Sequence, residues 1–307
     1  MNQHCILVGA PVDSGQSNPG CLMGPASYRV AGLAATLEEL GCTVSDRGDV
    51  APRAAEVVAY QNPAVHSLGE TIAWQRALAD AASDAIEAGF PIFLGGDHSL
   101  SLGTVAGLAT HARDQGRPLF VLWLDAHSDF HTPMTTKSGN LHGTPVAYIA
   151  GRDDFDAFPP FPDPVPVERI CLFGIRSVDH DERTALRDHA ITPVDMRELD
   201  ERGFVAPLST FLDQVRAANG LLHVSLDVDF LDPSIAPAVG TMVPGGATFR
   251  EAHLVMEMLH ESGLVSSLDL VELNPFLDER GRTARLMVDL TASLMGRKVF
   301  DRVNRSI

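Results

Sequence analysis

The sequence of 307 residues is poor in cysteine and has no long apolar runs. Its four cysteines, Cys5, Cys21, Cys42 and Cys171, include no CxxC pair. A zinc knuckle or a redox motif is therefore not expected, and the thiols are predicted to be reduced and mostly buried. The longest apolar runs span only a few residues, whereas a helix that crosses a bilayer needs about 20. The sequence thus favours neither a disulfide-stabilised nor a membrane-spanning protein.

Basic residues are also scarce. There are 23 lysine and arginine residues against 40 aspartate and glutamate residues, which gives a formal net charge of −17. Nucleic acids and anionic membranes require a basic face, so neither is expected as the main partner. The charge is compatible with a cationic substrate or metal ions, although solubility alone explains it equally well. The N-terminus lacks a basic region and a long apolar core, which predicts a cytoplasmic location rather than export.

Short apolar segments alternate with segments of helical periodicity. The apolar segments contain almost no polar residue, as is typical of strands in a parallel sheet that is covered on both faces. No internal repeat or interdomain linker is visible, and 152–167 has the composition of a surface loop. These patterns predict one α/β domain over 1–307, with a mostly parallel sheet and helices on both sides. The predicted strands are 5–9, 91–94, 119–124, 169–173, 221–226 and 268–273.

Capping signals mark several of the predicted helices. One helix opens at Pro25, carries Val30, Leu33, Leu37 and Leu40 on its apolar face, and closes at Gly41. Two capping boxes, Ser67-x-x-Glu70 and Thr248-x-x-Glu251, predict the starts of two others. The remaining predicted helices cover 100–116, 205–218 and 282–297.

Clusters of acidic residues and histidines follow four of the predicted strands. They are the GGDH segment, a DxHxD segment, a DxD segment and Glu272. In an extended backbone alternate side chains point the same way, so the carboxylates of each segment would converge. Four nearby aspartates cannot all stay ionised without cations, whereas two divalent cations would neutralise them. Oxygen-rich donors with some imidazole favour manganese over structural zinc. The predicted ligands are His98, Asp125, His127, Asp129, Asp227 and Asp229, each of which taken alone could equally be a cap or core residue.

Six longer motifs are spread along the chain. They are GAPVDSGQSNPGCLMGP (9–25), GGDHSLSLGT (95–104), DAHSDFHTPMTTKSGNLHGTPVA (125–147), GIRSVD (174–179), SLDVDFLDPSIAPAVGTMVPGG (225–246) and VELNPFLDERGRTA (271–284). In order and over almost the whole chain, they resemble the ureohydrolase (arginase) family. The resemblance implies a three-layer α/β/α sandwich with a mostly parallel eight-stranded sheet, two Mn²⁺ ions per subunit and a homo-oligomer, a trimer or hexamer. It also implies hydrolysis of L-arginine to L-ornithine and urea, by attack of a metal-bridging hydroxide on the guanidinium carbon.

The resemblance assigns roles residue by residue. The metal ligands are the same six residues that the spacing indicates. Catalytic roles fall on the proton shuttle His142, on Glu272, which would hold the guanidinium, and on Asp129. His131 stands where the family usually has an asparagine that faces the α-carboxylate; an imidazole can donate a hydrogen bond there. The substrate-binding residues implied are His131, Ser138, Asn140, Asp179, Thr241 and Glu272.

Other functions stay open at this point. The metal site is shared within the family, so an agmatinase or a guanidino-acid hydrolase is the main alternative. The segment with Ser138 and Asn140, together with Asp179, favours a substrate with an α-carboxylate and an α-amino group. An analogue that lacks these two groups would leave the polar side chains of the site without partners. A two-metal phosphoesterase would normally carry a GNHD-like box, which is absent. A non-catalytic relative would be expected to have lost one or more ligands.

Overall fold

The computed structural model describes residues 3–298, in which eight strands form one sheet. The strands are β1 (His4–Ala10), β2 (Thr43–Asp49), β3 (Phe90–Gly95), β4 (Leu119–Leu124), β5 (Ile170–Ile175), β6 (Val194–Asp195), β7 (Leu221–Asp227) and β8 (Val265–Val271). Their order in the sheet is β2-β1-β3-β8-β7-β4-β5-β6. Every neighbouring pair is parallel. The predicted α/β class is confirmed, and the sheet is wholly rather than mostly parallel.

Helices cover both faces of this sheet. Along β1, Leu7 points into one apolar core, whereas Ile6 and Val8 point into the other. The first core is closed by α1, α2, α7, α8, α9 and α10, and the second by α3, α4, α5 and α6. The three-layer arrangement follows from this alternation. The helices are α1 (Gly24–Val30), α2 (Leu33–Glu39), α3 (Leu68–Ala88), α4 (Ser101–Asp114), α5 (Pro145–Ile149), α6 (His180–Asp188), α7 (Met196–Arg202), α8 (Val205–Ala217), α9 (Phe249–Ser262) and α10 (Arg282–Leu294).

The four central strands, β3, β8, β7 and β4, are adjacent in the sheet. These are the strands after which the four polar clusters follow in the sequence. Because parallel strands end at the same edge, the clusters meet at the carboxyl edge of the sheet, where open α/β folds place their sites.

Two predictions about helix ends are wrong. The helix expected from Pro25 to Gly41 is two helices, because Gly32 adopts φ 88 between them. The break removes Val30 from the apolar face and leaves it 89% exposed. The Ser67 capping box does not form, since Ser67 has φ 52 and its side chain caps no backbone N–H; an N-cap residue needs an extended backbone. The second box, with Thr248 and Glu251, is confirmed.

Several elements have no strong signal in the sequence. The two outermost strands, β2 and β6, lie at the sheet edges and are partly or fully exposed, so they lack the apolar runs of the central strands. The short helices α5, α6 and α7 are also absent from the predictions. The loop at 152–167 forms as predicted, but it does not lie only on the surface: Phe155, Phe158 and Val165 are buried in the second core.

Residues 3–298 also bear on the predictions about the thiols and about membrane-spanning helices. All four cysteines are free; Cys5 and Cys21 are buried, and Cys42 and Cys171 are partly buried. Among the described helices, none combines the length and the hydropathy that a membrane crossing requires.

Candidate metal centre and active site

Three of the predicted ligands lie at the ends of central strands. Asp227 is the last residue of β7, Asp125 directly follows β4, and His98 opens a short 3₁₀ turn after β3. All three side chains are almost completely buried. Because each is held by a strand in the middle of the sheet, its position depends on the core packing beneath it.

The predicted ligands converge, but the backbone that carries Asp129 and Asp229 is not extended as predicted. Asp129 has φ 46, in the left-handed region, and is not part of a strand. Asp229 lies in a 3₁₀ turn, where its N–H donates to Asp227 Oδ1 at 2.7 Å. Turns after the strands, rather than a continued pleat, therefore direct the second carboxylate of each motif into the site.

The six predicted ligands form two overlapping groups. His98 Nδ1 lies 3.1 Å from Asp125 Oδ2, 3.1 Å from Asp227 Oδ2 and 3.2 Å from Asp129 Oδ2. His127 Nδ1 lies 3.0 Å from Asp229 Oδ2 and 3.5 Å from Asp125 Oδ1. Asp125 faces both histidines with different oxygens, which is the arrangement that a bridging carboxylate requires.

The donor chemistry fits bound cations. His98 Nδ1 is buried and makes no well-oriented hydrogen bond with the described residues, although three carboxylate oxygens surround it. Its other nitrogen, Nε2, lies 2.8 Å from Ser225 Oγ. If Nε2–H donates to Ser225, the Nδ1 lone pair is free to bind a metal, as is usual for metal-ligating histidines.

The carboxylates also need positive charge. Burial, and then the neighbouring Asp125, raise the pKa of Asp129 well above its usual range. Burial, and then Asp229, do the same to the pKa of Asp227. In both cases the charged form is disfavoured by lost hydration and like charges, and a divalent cation would reverse this balance.

Glu272 lies beside the ligand cluster. It follows β8 with φ 63, and its N–H donates to the carbonyl oxygen of Gly96, the residue directly after β3. Its Oε1 accepts hydrogen bonds from His98 N at 2.7 Å and from His142 Nδ1 at 2.8 Å. Cys21 Sγ lies 3.8 Å from Oε2. Left-handed backbone at a non-glycine residue is costly and often marks a functional site; both Glu272 and Asp129 have it.

The buried Glu272 forms an ion pair with His142, which is partly buried. Burial opposes the shift, yet the Glu272 carboxylate raises the pKa of His142 to about 9. Burial would raise the pKa of Glu272, but His142 outweighs it and the pKa is lowered. The pair therefore keeps an anionic carboxylate and a protonated imidazole next to the ligand cluster at neutral pH.

Five of the six predicted ligands, together with His142 and Glu272, line one cavity of about 120 Å³; the sixth ligand, Asp229, does not line it. The residues that line it are His98, Asp125, His127, Asp129, His131, His142, Gly143, Glu182, Asp227, Thr241 and Glu272. Ten of these eleven are polar or charged, so the cavity is suited to a charged ligand. Three predicted substrate-binding residues, Ser138, Asn140 and Asp179, do not line it.

The three lie on neighbouring segments. Asp179 caps helix α6 through Oδ1, while its Oδ2 lies 3.1 Å from His131 Nε2. Ser138 and Asn140 lie on the loop that joins His131 to His142, and Ser138 Oγ accepts a hydrogen bond from Asn140 N at 3.2 Å. Both segments are therefore linked to residues that line the cavity.

Thr241 and His131 make contacts that the sequence did not indicate. Thr241 Oγ1 donates to Asp229 Oδ2 at 3.0 Å, so it contacts a predicted metal ligand directly. His131 Nε2 is directed towards Asp179 and lies 3.8 Å from Glu182 Oε2. Its Nδ1 lies 3.0 Å from Thr135 Oγ1. His131 therefore belongs to the Asp179 side of the cavity.

Two buried acids have no role in the predictions: Glu182, and Asp97 of the GGDH segment. Glu182 lines the cavity and accepts hydrogen bonds from Ser128 Oγ and Phe130 N. A signal was present, because Asp179-x-x-Glu182 is a capping-box spacing, and the box forms. Asp97 accepts hydrogen bonds from Gly15 N and Ser99 N, which ties the first loop to the His98 turn. Burial, and then Glu272, raise its pKa to about 6.

A larger cavity of about 960 Å³ lies elsewhere, between helices α3 and α4 and the segments 50–58 and 157–162. Its ionisable lining residues are Arg53, Glu56, Arg76 and Asp80. They form no cluster of the kind found at the carboxyl edge of the sheet. The chemistry therefore points to the smaller cavity.

A parallel α/β sheet whose central strands end in buried carboxylates and imidazoles is typical of hydrolases that use two divalent cations. The comparisons identify the family. A sequence model of the Arginase family matches residues 3–296. An arginase from Agrobacterium fabrum is 58% identical over 97% of this chain and 93% of its own length. An arginase from Brucella melitensis is 59% identical over 97% of this chain and 98% of its own length. The chain belongs to the arginase family and is an enzyme of the hydrolase class.

Solved structures agree with this assignment. The crystal structure of arginase from Bacillus caldovelox superposes with a TM-score of 0.88 at 38% identity, covering 97% of this chain and all of the other. The family resemblance and the eight-stranded parallel fold predicted from the sequence are thereby confirmed.

Proposed function

We propose that this protein is a manganese-dependent arginase, which hydrolyses L-arginine to L-ornithine and urea. The observation that carries the proposal is the position of Glu272, a buried carboxylate in the cavity wall beside two groups of metal-ligand side chains. A carboxylate there suits a permanently cationic guanidinium. The arginases of Agrobacterium fabrum and Brucella melitensis, at 58% and 59% identity, support the same substrate.

Two cations would be held by the overlapping groups. His98, Asp125 and Asp227 form one group, and Asp125, His127 and Asp229 form the other. Asp129, whose Oδ2 lies 3.2 Å from His98 Nδ1, adds a carboxylate to the first group. Manganese suits this oxygen-rich donor set with two imidazoles. When bound, the ions would neutralise the carboxylates and make water a nucleophile at neutral pH.

Glu272 would hold and orient the substrate's guanidinium. Its Oε1 already accepts two hydrogen bonds, whereas within residues 3–298 its Oε2 has only the weak thiol contact of Cys21. Oε2 is therefore the atom with the capacity to accept from a guanidinium N–H. A carboxylate–guanidinium pair supplies both charge and direction, which would place the guanidinium carbon towards the ligand cluster.

His142 would protonate the leaving amine. As a water oxygen bonds to the guanidinium carbon, the bond from that carbon to the nitrogen on the substrate's δ-carbon breaks. The water gives up its two protons as its oxygen becomes the carbonyl oxygen of urea, and the leaving nitrogen takes up two as it becomes the δ-ammonium group of ornithine. His142 Nδ1 is held by Glu272, and its Nε2 is not hydrogen-bonded to any residue in 3–298. The pKa of about 9 keeps His142 protonated at neutral pH, so Nε2 can act as general acid.

The α-carbon end would be recognised by two segments. Asp179 would accept from the α-ammonium group, and we place His131 with it because their side chains lie 3.1 Å apart. Ser138 and Asn140 would donate to the α-carboxylate.

We further propose that residues 1–307 form one domain and that the protein is cytoplasmic. We also propose that it assembles as a trimer or hexamer, and light scattering on the purified protein would test the assembly.

The test is urea release by the manganese-loaded protein from L-arginine and agmatine, measured side by side. The proposal expects a strong preference for L-arginine, because agmatine leaves the donors for the α-carboxylate unpaired. A preference for agmatine would reassign the protein to another activity of the family. Activity on neither would reject both assignments and direct the search to guanidino acids.

A further inference from the structure

A hydrogen-bonded cluster surrounds the side chain of Asn140, which lies outside the metal centre. Ser17 Oγ donates to Asn140 Oδ1 at 2.6 Å, and His66 Nε2 lies 2.8 Å from the same oxygen. Ser17 and His66 are themselves 3.4 Å apart. Ser17 and His66 lie 123 and 74 residues from Asn140 in sequence, so the fold brings three separate segments together here.

The cluster determines which end of the Asn140 amide is available. An asparagine amide has one acceptor end and one donor end of nearly equal size, and only its partners decide their orientation. Ser17 Oγ donates to Oδ1 and His66 Nε2 faces the same oxygen, so both partners lie on the Oδ1 side of the amide. Nδ2 makes no hydrogen bond within residues 3–298, so its two N–H groups are free. An amide in this orientation can donate to an anion, whereas the reversed amide would present an oxygen and repel it.

The segment that carries His66 is firmly attached to the Asn140 loop. Asn62 Nδ2 donates to Pro133 O at 3.0 Å and to Thr136 O at 2.8 Å. Gly139 adopts φ 78, and a Cβ on it would lie 1.7 Å from Ala64 O. Only glycine permits so close an approach. The segment 62–66 therefore packs directly against the backbone next to Asn140.

We propose that His66, assisted by Ser17, is a positioning residue that determines specificity for the substrate's α-carboxylate. It acts by holding the Asn140 amide with its N–H groups available. The inference rests on the proposed function, in which Asn140 donates to that carboxylate. It requires that His66 donate through Nε2–H, which both the Nε2–H tautomer and the doubly protonated ring can do.

The test compares L-arginine with L-argininamide, whose α-carboxylate is replaced by a neutral amide. The measured quantity is the ratio of kcat/KM for the two substrates. His66→Phe keeps a ring but removes the donor, and it should lower this ratio about 3- to 10-fold, the effect of one lost hydrogen bond. Most of the change should appear in KM for L-arginine. His66→Gln supplies an N–H and should restore most of the ratio.

Three further variants separate positioning from general damage. His4→Phe is the matched control, because His4 makes a similar bond to Ser45 Oγ at 2.8 Å in the paired strands β1 and β2, and it should not change the ratio. Ser17→Ala should shift the ratio in the same direction as His66→Phe, by less. In an Asn140→Ala background, His66→Phe should have no further effect.

The outcomes distinguish the two proposals. If the wild-type protein does not hydrolyse L-arginine, the proposed function fails. If it does, and the ratio is the same in wild type, His66→Phe and Ser17→Ala, the positioning role is wrong. An equal loss on both substrates, with a lower unfolding temperature, would also overturn it, since that is the result of a merely structural role.

Discussion

The two ends of the site are built in different ways. At the metal end, the ligands follow the central strands β3, β4 and β7, and His98, Asp125 and Asp227 are almost completely buried. At the α-carbon end, the candidate residues lie on loops and at the start of helix α6, and they are held by side-chain hydrogen bonds between distant segments. In the proposed function, the core therefore positions the metal ligands, while partly exposed contacts position the residues that would recognise the α-carbon end of the substrate.

This difference has an energetic consequence. A residue at the metal end cannot be changed without leaving a buried charge or lone pair unsatisfied, which is costly. A residue at the α-carbon end is nearer to solvent, so water can replace a lost partner. We therefore expect changes at the metal end to abolish the reaction and changes at the α-carbon end to alter mainly substrate affinity.

The largest effect is expected at Asp125, which faces both histidines. Asp125→Ala should lower both the bound metal and the urea release to background, because both ligand groups lose a member. Metal content measured by mass spectrometry, together with a urea assay, checks this. Asp213→Ala removes an exposed aspartate that pairs with Arg216 on helix α8 and should change neither quantity. Full metal binding by Asp125→Ala would contradict the shared-ligand arrangement.

A large effect on turnover alone is expected at His142. His142→Ala should lower kcat by about 10²- to 10⁴-fold, the usual contribution of a general acid. Metal content should change little, because the side chain of His142 contacts Glu272 rather than the ligand cluster, and any change in KM should be small beside the change in kcat. Steady-state kinetics and metal analysis on the same preparation test this. A variant that retains wild-type kcat would remove His142 from the mechanism.

A change in affinity is expected at Asp179. Asp179→Asn retains an oxygen to cap helix α6 but removes the negative charge. Loss of a hydrogen bond between charged groups costs about 1.5–3 kcal/mol, which predicts a rise in KM for L-arginine of roughly 10- to 150-fold. The decrease in kcat should be smaller. If kcat falls and KM stays constant, Asp179 does not bind the α-ammonium group.

The smallest effect is expected at the edge of the sheet, far from both ends of the site. Arg29 Nε lies 2.7 Å from Asp46 Oδ2 and Arg29 Nη1 lies 2.6 Å from Asp49 Oδ1, so the guanidinium joins α1 to β2 through two ion pairs. All three side chains are partly exposed, so each pair should contribute only about 0.2–1 kcal/mol to the free energy of unfolding, and Arg29→Ala should leave activity unchanged. Chemical denaturation monitored by circular dichroism measures the difference.

The Arg29–Asp46 ion pair predicts that the free energy of unfolding depends on pH. The Arg29 hydrogen bond lowers the pKa of Asp46 below its ordinary value. A lowered pKa in the folded state means that the stabilisation is present above the unfolded value of about 3.9 and is lost as the pH falls. The stability difference between wild type and Arg29→Ala should therefore shrink below about pH 4. A difference that grows on acidification would contradict this.

The contrast between the two ends also explains how far the sequence could predict the site. His98, Asp125 and Asp227 were recognisable because each follows an apolar segment that could only be a buried strand. His66 and Ser17 were not, since each is a single polar residue in a loop, and their meaning depends on a contact with Asn140 across at least 74 residues.

The elements of the fold differ in the same way, because those with continuous apolar residues were the ones predicted. The six strands with continuous apolar residues were predicted, and the eight-stranded sheet came from the family resemblance. Strand β2 was missed because its residues, TVSDRGD, are partly or fully exposed at the sheet edge. Glu182 was missed although Asp179-x-x-Glu182 is a capping-box spacing, so here the signal existed in the sequence and was not used.

In the proposed function, two ions held by the overlapping groups enable the hydrolysis of L-arginine. The measurement that tests this is to strip the protein with a chelator, add Mn²⁺ back in steps, and determine bound manganese and urea release from L-arginine at each step. We expect two bound ions per chain and full activity only when the second is bound. Full activity in the stripped protein, or at one ion per chain, would show that the two-ion site is not what enables the reaction.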